Sequence, residues 1–254
     1  MSTRLQNATG IYLTGIRDGD PRSAMANYTG ARYTQHSAGV PDGKDGFVAF
    51  FDAFLARNPR REIRVLRAVE DNGQVFLHVF QSLNDGAAEW VTMDMFNTDD
   101  AGRVIEHWDV ISAYGPTASG ENMLTGPDEP VELERGADNK ATVREFVKQV
   151  RQAGNLDRLD NFVAEDLIQH HPEIAAGRDG LRVHLADGGD GAYEMLFRVI
   201  GQGNFAVAYG KRHRDGADFA DFDLYRLENG RIAEQWTCSE QILPRADWGN
   251  SGKF

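Results

Sequence analysis

The stretch Gly-Arg-Val-Ile-Glu-His-Trp-Asp at 102–109 decides the fold, because it recurs as Gly-Arg-Ile-Ala-Glu-Gln-Trp-Thr at 230–237. An earlier block, Gln35-His36 with Gly-Lys-Asp-Gly at 43–46, recurs 134 positions later as Gln169-His170 with Gly-Arg-Asp-Gly at 177–180. A repeat this long is a whole domain, since solenoid units span only about 20 to 50 residues. The sequence therefore predicts two domains of one fold.

Length, charge and cysteine content bound the possible classes. The 254 residues suffice for two domains, predicted at 1–114 and 139–254, with a connector strap at 115–138 rich in turn residues. The formal net charge of -12 argues against nucleic-acid binding, and the basic run 211–214 is typical of a solvated hairpin. No apolar run indicates a signal peptide or a membrane span. With Cys238 as the only cysteine, we expect a cytoplasmic protein.

Apolar periodicity indicates helices first and strands afterwards in each copy. Apolar residues at 143, 146, 147 and 150 follow helical spacing and predict the first helix of copy two. An aromatic stripe at 47–55 predicts a further helix after the Gln-His block of copy one. The stretches 62–69, 74–83, 89–98 and 103–114 are rich in β-branched and aromatic residues, as strands are. This order predicts an α+β fold in which helices cover one face of a curved, mostly antiparallel sheet.

The last strand of copy one carries the clearest chemical signal. Side chains two apart share a face, so His107, Asp109 and Ile111 point one way and Trp108 points the other. If the first face lines a concavity, burial should raise the pKa of Asp109 and make it a proton shuttle near neutral pH. Alternatively, the pair faces solvent on an exposed sheet. Copy two has Gln235 and Thr237 instead, so the chemistry is predicted in copy one alone.

Three other polar residues are candidates. His78 interrupts an apolar strand, where a buried histidine is more often satisfied by one hydrogen bond than functional. A shift of 130 positions aligns it with Ala208, and its loss in the copy that also lacks Asp109 favours a shared pocket. His36 is kept as His170, which fits either a structural role or a pocket group used in both copies. Asp94, kept as Asp223, is either a second site carboxylate or a hydrogen-bond acceptor near a turn.

Other chemistries find little support in the spacing. Scattered histidines without His-x-His, His-x-x-x-His or His-Glu-x-x-His pairs do not favour a metal site. The sequence contains no Gly-x-Ser-x-Gly elbow, and the glycines at 188–191 do not form a phosphate loop. We therefore expect neither a metal nor a cofactor.

Four segments, 33–36, 40–47, 94–96 and 102–109, together resemble the SnoaL-like polyketide cyclases of the nuclear transport factor 2 superfamily. The similarity is greatest to the branch predicted to catalyse aldol condensations, and it extends over both copies, the connector and the tail at 248–254. It implies two tandem cone-shaped α+β barrels, each with a pocket between helices and concave sheet. It also implies pairing of the two domains as an intrachain pseudo-dimer, with a further homodimer possible.

The resemblance implies roles for residues of copy one. By strand position Asp109 matches the aspartate that acts as general acid and base in an intramolecular aldol closure without metal or cofactor. The related limonene epoxide hydrolases have a water-holding residue where His36 stands, but their middle-strand arginine and aspartate are replaced by His78 and Phe80. The family's Asn-Pro after Gln-His is Ser37-Ala38 here, and copy two lacks the final aspartate.

Two classes of function follow. An enzyme of cyclase, lyase or isomerase type is favoured: Asp109 would remove a proton next to the carbonyl of a small apolar compound, and a histidine would hydrogen-bond the enolate oxygen. The alternative is a non-catalytic binding or interaction protein with filled or ligand-holding pockets. The predicted site residues fall into a catalytic, a substrate-binding and a second-domain group: Asp109, His107, His36 and His78; Thr34, Phe51, Phe54, Trp90 and Asp94; His170, Asp223 and Gln235.

Overall fold

The computed structural model describes residues 1–254 and divides into two compact units. The first unit contains Met1–Ala113 together with Ile242–Phe254, and the second contains Tyr114–Gln241. This division differs from the sequence-based boundaries at two segments, the connector at 115–138 and the C-terminal tail at 242–254, which we call the two straps. The connector at 115–138 is part of the second unit, and the chain end, expected in the second domain, packs with the first. Adjacency in sequence suggested the opposite assignment, because each strap directly follows the copy that it does not join.

In both units a bent helix comes first and the antiparallel strands come last. The helix α1 continues as a π-helical segment, in which the Asp18 N–H donates to the Leu13 carbonyl. The elements of the first unit are α1 (Thr3–Gly10, extended by Ile11–Arg17), α2 (Pro21–Tyr28), β1 (Thr29–Gln35), α3 (Gly43–Arg57), β2 (Arg61–Asp71), β3 (Gln74–Leu83), β4 (Ala88–Thr98) and β5 (Val104–Ala113).

The second unit repeats this order, and its first helix carries an equivalent π segment with an Ala153 N–H to Lys148 carbonyl bond. Its elements are α4 (Gly136–Phe146, extended by Val147–Gln152), α5 (Leu159–Phe162), β6 (Val163–Gln169), α6 (Gly177–Ala186), β7 (Ala192–Gln202), β8 (Phe205–Arg214), β9 (Ala217–Glu228) and β10 (Arg231–Gln241), with short 3₁₀ turns at Leu133–Arg135, Leu156–Arg158 and Arg245–Asp247. No helix is both long enough and apolar enough to span a membrane.

Each unit contains one five-stranded sheet, with the orders β1-β5-β4-β3-β2 and β6-β10-β9-β8-β7. The first strand of each runs parallel to the last, and all other neighbours are antiparallel. The α+β fold with helices on a mostly antiparallel sheet is thus present twice, as the sequence predicted.

The strand registers correct one alignment between the copies. Asp94 lies opposite Leu77, and Asp223 lies opposite Ala208. Ala208 is therefore the counterpart of Leu77, and Tyr209 is the counterpart of His78. The alignment of His78 with Ala208 was wrong by one position, which matters because a one-residue shift in a strand moves a side chain to the other face.

The repeated Gly-x-x-Gly block has a backbone reason. Gly43 and Gly177 begin α3 and α6 with φ of +80° and +79°, a region that favours glycine. A Cβ on Gly46 would lie 2.3 Å from the Pro41 carbonyl oxygen, and one on Gly180 would lie 2.2 Å from that of Ala175. Positions 46 and 180 must therefore be glycine, because α3 and α6 begin so close to the loops that precede them.

The core of each unit lies between the apolar faces of its helices and the concave face of its sheet. In the first unit it includes Ile11, Phe47 and alternate residues of β3 such as Leu77 and Val79, all at most 2 % exposed. At about 25 cal/mol per Å² of apolar surface, these buried faces are the main stabilising contribution to the fold. The lone Cys238 is buried in the second unit.

The two straps are attached to the sheets by hydrogen bonds. In the first unit, the Gly249 N–H donates to the Ala38 carbonyl at 2.8 Å, and the Asn250 amide donates to the Ser37 carbonyl at 2.6 Å. Trp248 packs over Gly252, where a Cβ would clash with the indole. In the connector, Met123 is 3 % exposed and Val131 is 54 % exposed.

Candidate functional site

The first unit contains a cavity of about 290 Å³ between its helices and the concave face of its sheet. Its wall is mainly aromatic and includes Phe47, Phe50, Phe51, Phe54, Trp90 and Phe96. Polar side chains also reach this cavity, namely Tyr12, Gln35, Ser37, Arg57, Gln81, His107 and Asp109. A mostly apolar pocket with a few convergent polar groups is the usual form of a small-molecule site.

Strand alternation explains which residues of β5 reach the cavity. His107, Asp109 and Ile111 all line it, and Trp108 between them does not. On β4 the same face carries Trp90, and Phe51 and Phe54 come from α3. The structure thus brings five of the predicted catalytic and substrate-binding residues to one cavity: Asp109, His107, Phe51, Phe54 and Trp90.

Asp109 is 7 % exposed and forms an ion pair that the sequence did not reveal. Lys253, 1 % exposed at its side chain, donates to the Asp109 carboxylate oxygen Oδ1 at 2.9 Å and to its main-chain oxygen at 2.9 Å. Burial alone would raise the pKa of Asp109, but the charges of Lys253 and His107 and hydrogen bonds from Lys253 and Ser37 hold it below its usual value. The expectation of a raised pKa was therefore wrong, and Asp109 is ionised at neutral pH.

His107 is fixed at both ring nitrogens. Nδ1 lies 2.8 Å from the Gln35 oxygen Oε1, and Nε2 lies 2.8 Å from Asp94 Oδ1. Because Gln35 Oε1 also accepts the Ser37 N–H at 2.9 Å, it is an acceptor, and His107 Nδ1 must carry a proton. The other nitrogen, Nε2, is held by the Asp94 carboxylate. Neither nitrogen is free to hydrogen-bond a substrate oxygen, which contradicts the role expected for this histidine.

Asp94 lies beneath the cavity wall with no exposed surface. Besides His107, it accepts hydrogen bonds from Tyr12 at 2.8 Å and from Thr92 at 3.0 Å. Burial raises the pKa of Asp94, and the bond to His107 opposes this shift. Asp94 therefore acts on the site through His107 and has no surface on which a substrate could bind directly.

His36 directly follows β1 and lies over the face of the sheet opposite the cavity. Its ring stacks on Trp108 with centroids 4.6 Å apart, Nε2 is 3.1 Å from Glu106, and Nδ1 is 2.6 Å from the Gly252 carbonyl. These contacts attach the tail one residue before Lys253. The predicted catalytic role of His36 is not supported by this placement, since Trp108 and Glu106 alternate with the cavity-lining residues of β5.

His170 repeats this arrangement in the second unit, which explains why the Gln-His block is kept. Its ring stacks on Trp236 at 4.7 Å, Nε2 is 2.8 Å from Glu234, and Nδ1 is 2.6 Å from the Asn122 carbonyl of the connector. Both histidines therefore hold a strap against the sheet. His170 is thus not a pocket residue of the second unit.

Two further predicted residues lie outside the cavity. His78 alternates with the core residues Leu77 and Val79, and its Nδ1 lies 3.1 Å from the Arg67 guanidinium. Thr34 alternates with the cavity-lining Gln35 and is only half-buried. Both side chains point away from the cavity, so neither can contact a ligand bound in it.

In the second unit, buried ion pairs occupy the place of the first unit's apolar wall. By strand register Arg212 is the counterpart of Gln81, and its guanidinium binds Asp190 at 2.9 Å and also meets Asp223. Arg151, in the π segment, binds the same Asp190 carboxylate at 2.5 Å. Burial would raise the pKa of Asp190, but the two guanidinium groups hold it well below its usual value.

Asp223 and Gln235, predicted as pocket residues, belong to this buried network. Asp223 accepts from Thr237 at 2.7 Å and from Gln235 at 3.3 Å. Burial first raises the pKa of the neighbouring Asp221, to about 6, despite the charge of Arg212. The polar groups of this cup are thus bonded to one another.

Two buried clusters have the residue types of a metal site, but their hydrogen bonds do not suit one. His171, His184 and Asp190 converge in the second unit. However, His171 Nδ1 accepts the Glu173 N–H at 3.0 Å, so in the neutral ring the proton is on Nε2, the nitrogen that faces Asp190. In the cluster of Asp94, His107 and Asp109, Lys253 already provides the positive charge.

Comparison with known proteins finds one family match and several similar solved structures. Residues 143–235 match the model of the SnoaL-like domain, which confirms the family resemblance found in the sequence. A solved structure named as a candidate polyketide cyclase, from Bacillus cereus ATCC 10987, aligns with 43 % of this chain and 74 % of its own, at 13 % identity and a TM-score of 0.39. An NTF-2 like protein of unknown function from Burkholderia xenovorans LB400 covers 42 % and 87 %, at 16 % identity and a TM-score of 0.37.

A third structure is an LEH-like epoxide hydrolase of M. tuberculosis, which covers 42 % of this chain and 85 % of its own at 14 % identity and a TM-score of 0.36. No curated protein matches the sequence. The SnoaL-like domain match lies in the second unit, and the first unit has the same order of helices and strands.

Sequence reasoning missed several functional groups of the cavity. Lys253 is 144 positions from its partner Asp109, and nothing in its local pattern distinguishes it. Gln35 and Gln81 were seen as parts of a repeated block and of a strand, without a chemical role. Ser37 had one available signal, since it replaces the family's asparagine after Gln-His.

Proposed function

We propose that the first unit catalyses cofactor-free proton transfer on a small apolar carbonyl compound, in an aldol-type cyclisation or a related isomerisation or dehydration. One observation carries the proposal: an ionised carboxylate, Asp109, lies in the wall of an aromatic cavity of about 290 Å³. A carboxylate removed from water, with space beside it for a ligand, is a suitable general base.

The charges around Asp109 favour the reaction step. When Asp109 takes a proton from the carbon next to a carbonyl, its negative charge moves to the enolate oxygen a few Å away. Lys253 and His107, whose positive fields already act on Asp109, then stabilise the enolate in a site of low dielectric. Asp109 carries the proton and can return it to the substrate oxygen, so that one residue serves as base and then as acid.

His107 has an indirect part in this scheme. Its Nδ1–H is bonded to Gln35 and its Nε2 is bonded to Asp94, so the ring is held in one orientation beside Asp109. Such a fixed dipole costs no reorganisation when charge develops. The second unit has Thr237 in place of Asp109 and fills its cup with ion pairs, so its part in the proposal is that of a scaffold.

The test is the exchange of carbon-bound protons with solvent. 2-Acetylnaphthalene in deuterated buffer is the probe, and its methyl signal is followed by NMR with wild type, Asp109→Asn and the control Asp100→Asn, which alters an exposed turn. We expect wild type and the control to accelerate exchange and Asp109→Asn to lose about 10²-fold or more, the usual contribution of a general base. Unchanged exchange in folded Asp109→Asn protein would remove Asp109 from the mechanism.

A second candidate is a protein that holds a small molecule without changing it. The pairing of Asp109 with Lys253, and of His107 with Gln35 and Asp94, favours this alternative, because these polar groups already have partners within the protein. Saturable binding of the probe without any accelerated exchange, in wild type across pH 5 to 8, would support it over the enzyme.

A further inference from the structure

A buried amide at the far end of the cavity has no partner in the protein. Gln81 is 6 % exposed and lines the cavity, and its side chain makes no hydrogen bond to another residue. Leaving a buried polar group without a hydrogen-bond partner is unfavourable. A group of this kind that faces empty space is suited to receive a ligand.

The strand register places Gln81 well away from Asp109. On the concave face, Gln81 lies opposite Trp90, which lies opposite Ala113, whereas Asp109 lies opposite Asp94. Asp109 and Ala113 are four residues apart on β5, a distance of about 13 Å at ~3.3 Å per residue. The cavity therefore has two polar ends: the acid–base group at one and Gln81 at the other.

Two further hydrogen-bond donors lie at the Gln81 end. Trp90, whose indole offers only a donor, lines the cavity and makes no hydrogen bond within the protein. Arg57 ends α3 and also lines the cavity, and no carboxylate of the chain pairs with it. The Arg57 carbonyl accepts from Asn84 at 3.2 Å, which ties this end of α3 to the turn that follows Gln81 on β3.

The three side chains at this end, Gln81, Trp90 and Arg57, offer mostly hydrogen-bond donors, and Arg57 carries a positive charge. Trp90 and Arg57 can only donate, and Gln81 offers two N–H donors and one acceptor. Arg57 is an exposed residue, so its guanidinium lies at the mouth of the cavity, where no carboxylate of the chain pairs with it. Arginine with converging N–H donors is the typical receptor for a carboxylate.

The second unit shows what this sheet position can bind. Arg212, the counterpart of Gln81, reaches into the cup and binds the carboxylate of Asp190 at 2.9 Å. Asp190 comes from the loop after α6, so here the chain supplies its own carboxylate. The first unit keeps donors at the same level but has an open cavity in that place.

From these observations we infer that the first unit takes an elongated apolar carbonyl compound that carries a carboxylate at the end remote from the reacting carbon. Arg57 pairs with the carboxylate at the cavity mouth, and Gln81 and Trp90 donate hydrogen bonds to its oxygens. The carbonyl end then lies beside Asp109. The assignment of the reacting end rests on the proposed function, whereas the carboxylate subsite stands on the unpartnered donors themselves.

The experiment compares two probes of the same skeleton, 6-acetyl-2-naphthoate and 2-acetylnaphthalene, by isothermal titration calorimetry and by methyl exchange. Wild type should bind the carboxylate probe at least tenfold more tightly. Arg57→Met and Gln81→Met should each reduce that preference, and the double variant should abolish it. Arg60→Met is the matched control, because Arg60 pairs with Asp85 and does not line the cavity.

The outcomes separate this inference from the proposed function. Equal affinity of wild type for the two probes, binding of neither at millimolar concentration, or a preference that survives the double variant would overturn the carboxylate subsite. If the preference is present but exchange is absent in wild type, only the proposed function fails. Asp109→Asn should keep the preference and lose exchange, which shows that the two ends of the cavity act separately.

Discussion

Replacing Lys253 by methionine tests the ion pair that defines the site. Methionine keeps much of the unbranched side chain but removes the ammonium group, so Asp109 is left buried with only His107 and Ser37 to stabilise its charge. Removing one partner of a buried ion pair costs about 3–5 kcal/mol. We therefore expect Lys253→Met to lower the free energy of unfolding at pH 7 by an amount in this range.

The pKa of Asp109 determines how the loss of stability in Lys253→Met changes with pH. In wild type the pKa of Asp109 is depressed, so the stabilisation from this carboxylate is complete above its unfolded pKa, near 4, and is lost as the pH falls through the folded value. Without Lys253, burial dominates and the pKa of Asp109 rises above its usual value. The variant should then be most deficient at neutral pH and recover part of the difference near pH 5, where Asp109 begins to be protonated.

The assay is urea unfolding followed by tryptophan fluorescence at pH 5 and pH 7, together with the pH profile of methyl exchange. The acidic limb of the exchange profile should move to higher pH in Lys253→Met. The control is Lys148→Met, because Lys148 is exposed on the second unit's first helix. A variant within about 0.5 kcal/mol of wild type at both pH values, the range of ordinary surface substitutions, with an unmoved acidic limb, would refute the reasoning.

Two other substitutions test how the straps and the second cup are held. His36→Ala removes the stack on Trp108 and the bond to the Gly252 carbonyl, so we expect a loss of about 1–3 kcal/mol and faster proteolytic release of the tail; a tail that stays protected as in wild type contradicts this role. Arg212→Met leaves the buried Asp223 carboxylate without its directly bound cation and Asp190 with Arg151 alone, so unfolding of the second unit should be easier by about 3–5 kcal/mol at pH 7.5. The deficit should shrink at pH 5, since carboxylates with raised pKa values are then partly protonated, and a deficit independent of pH would count against an electrostatic origin.

Local periodicity was enough to predict most of the fold. The spacing of Phe47, Phe51 and Phe54 predicted α3, and alternation around Trp108 correctly divided β5 into two faces. The repeat predicted two units of one fold, because a pattern kept in both copies records what the fold requires. The strap ends could not be predicted, since attachment depends on bonds such as Asn250 to Ser37 between distant parts of the chain.

The candidate site was less accessible from sequence for three physical reasons. Hairpin turns of different length change the shift between the copies, so His78 was aligned one residue away from its true counterpart, Tyr209. A histidine beside a strand can lie over either face, and His36 lies over the face opposite the cavity. Finally, the pKa of Asp109 depends on Lys253, whose approach is a tertiary contact without a local signature.

The most direct test of the account is the rate of methyl proton exchange of 2-acetylnaphthalene in wild type and in Asp109→Asn, at pH 7 and at equal, saturating probe concentration. The account predicts accelerated exchange in wild type and a loss of about 10²-fold or more in the variant, whose fold is checked by circular dichroism. Equal rates in the two folded proteins would contradict a role for the Asp109 carboxylate in proton transfer.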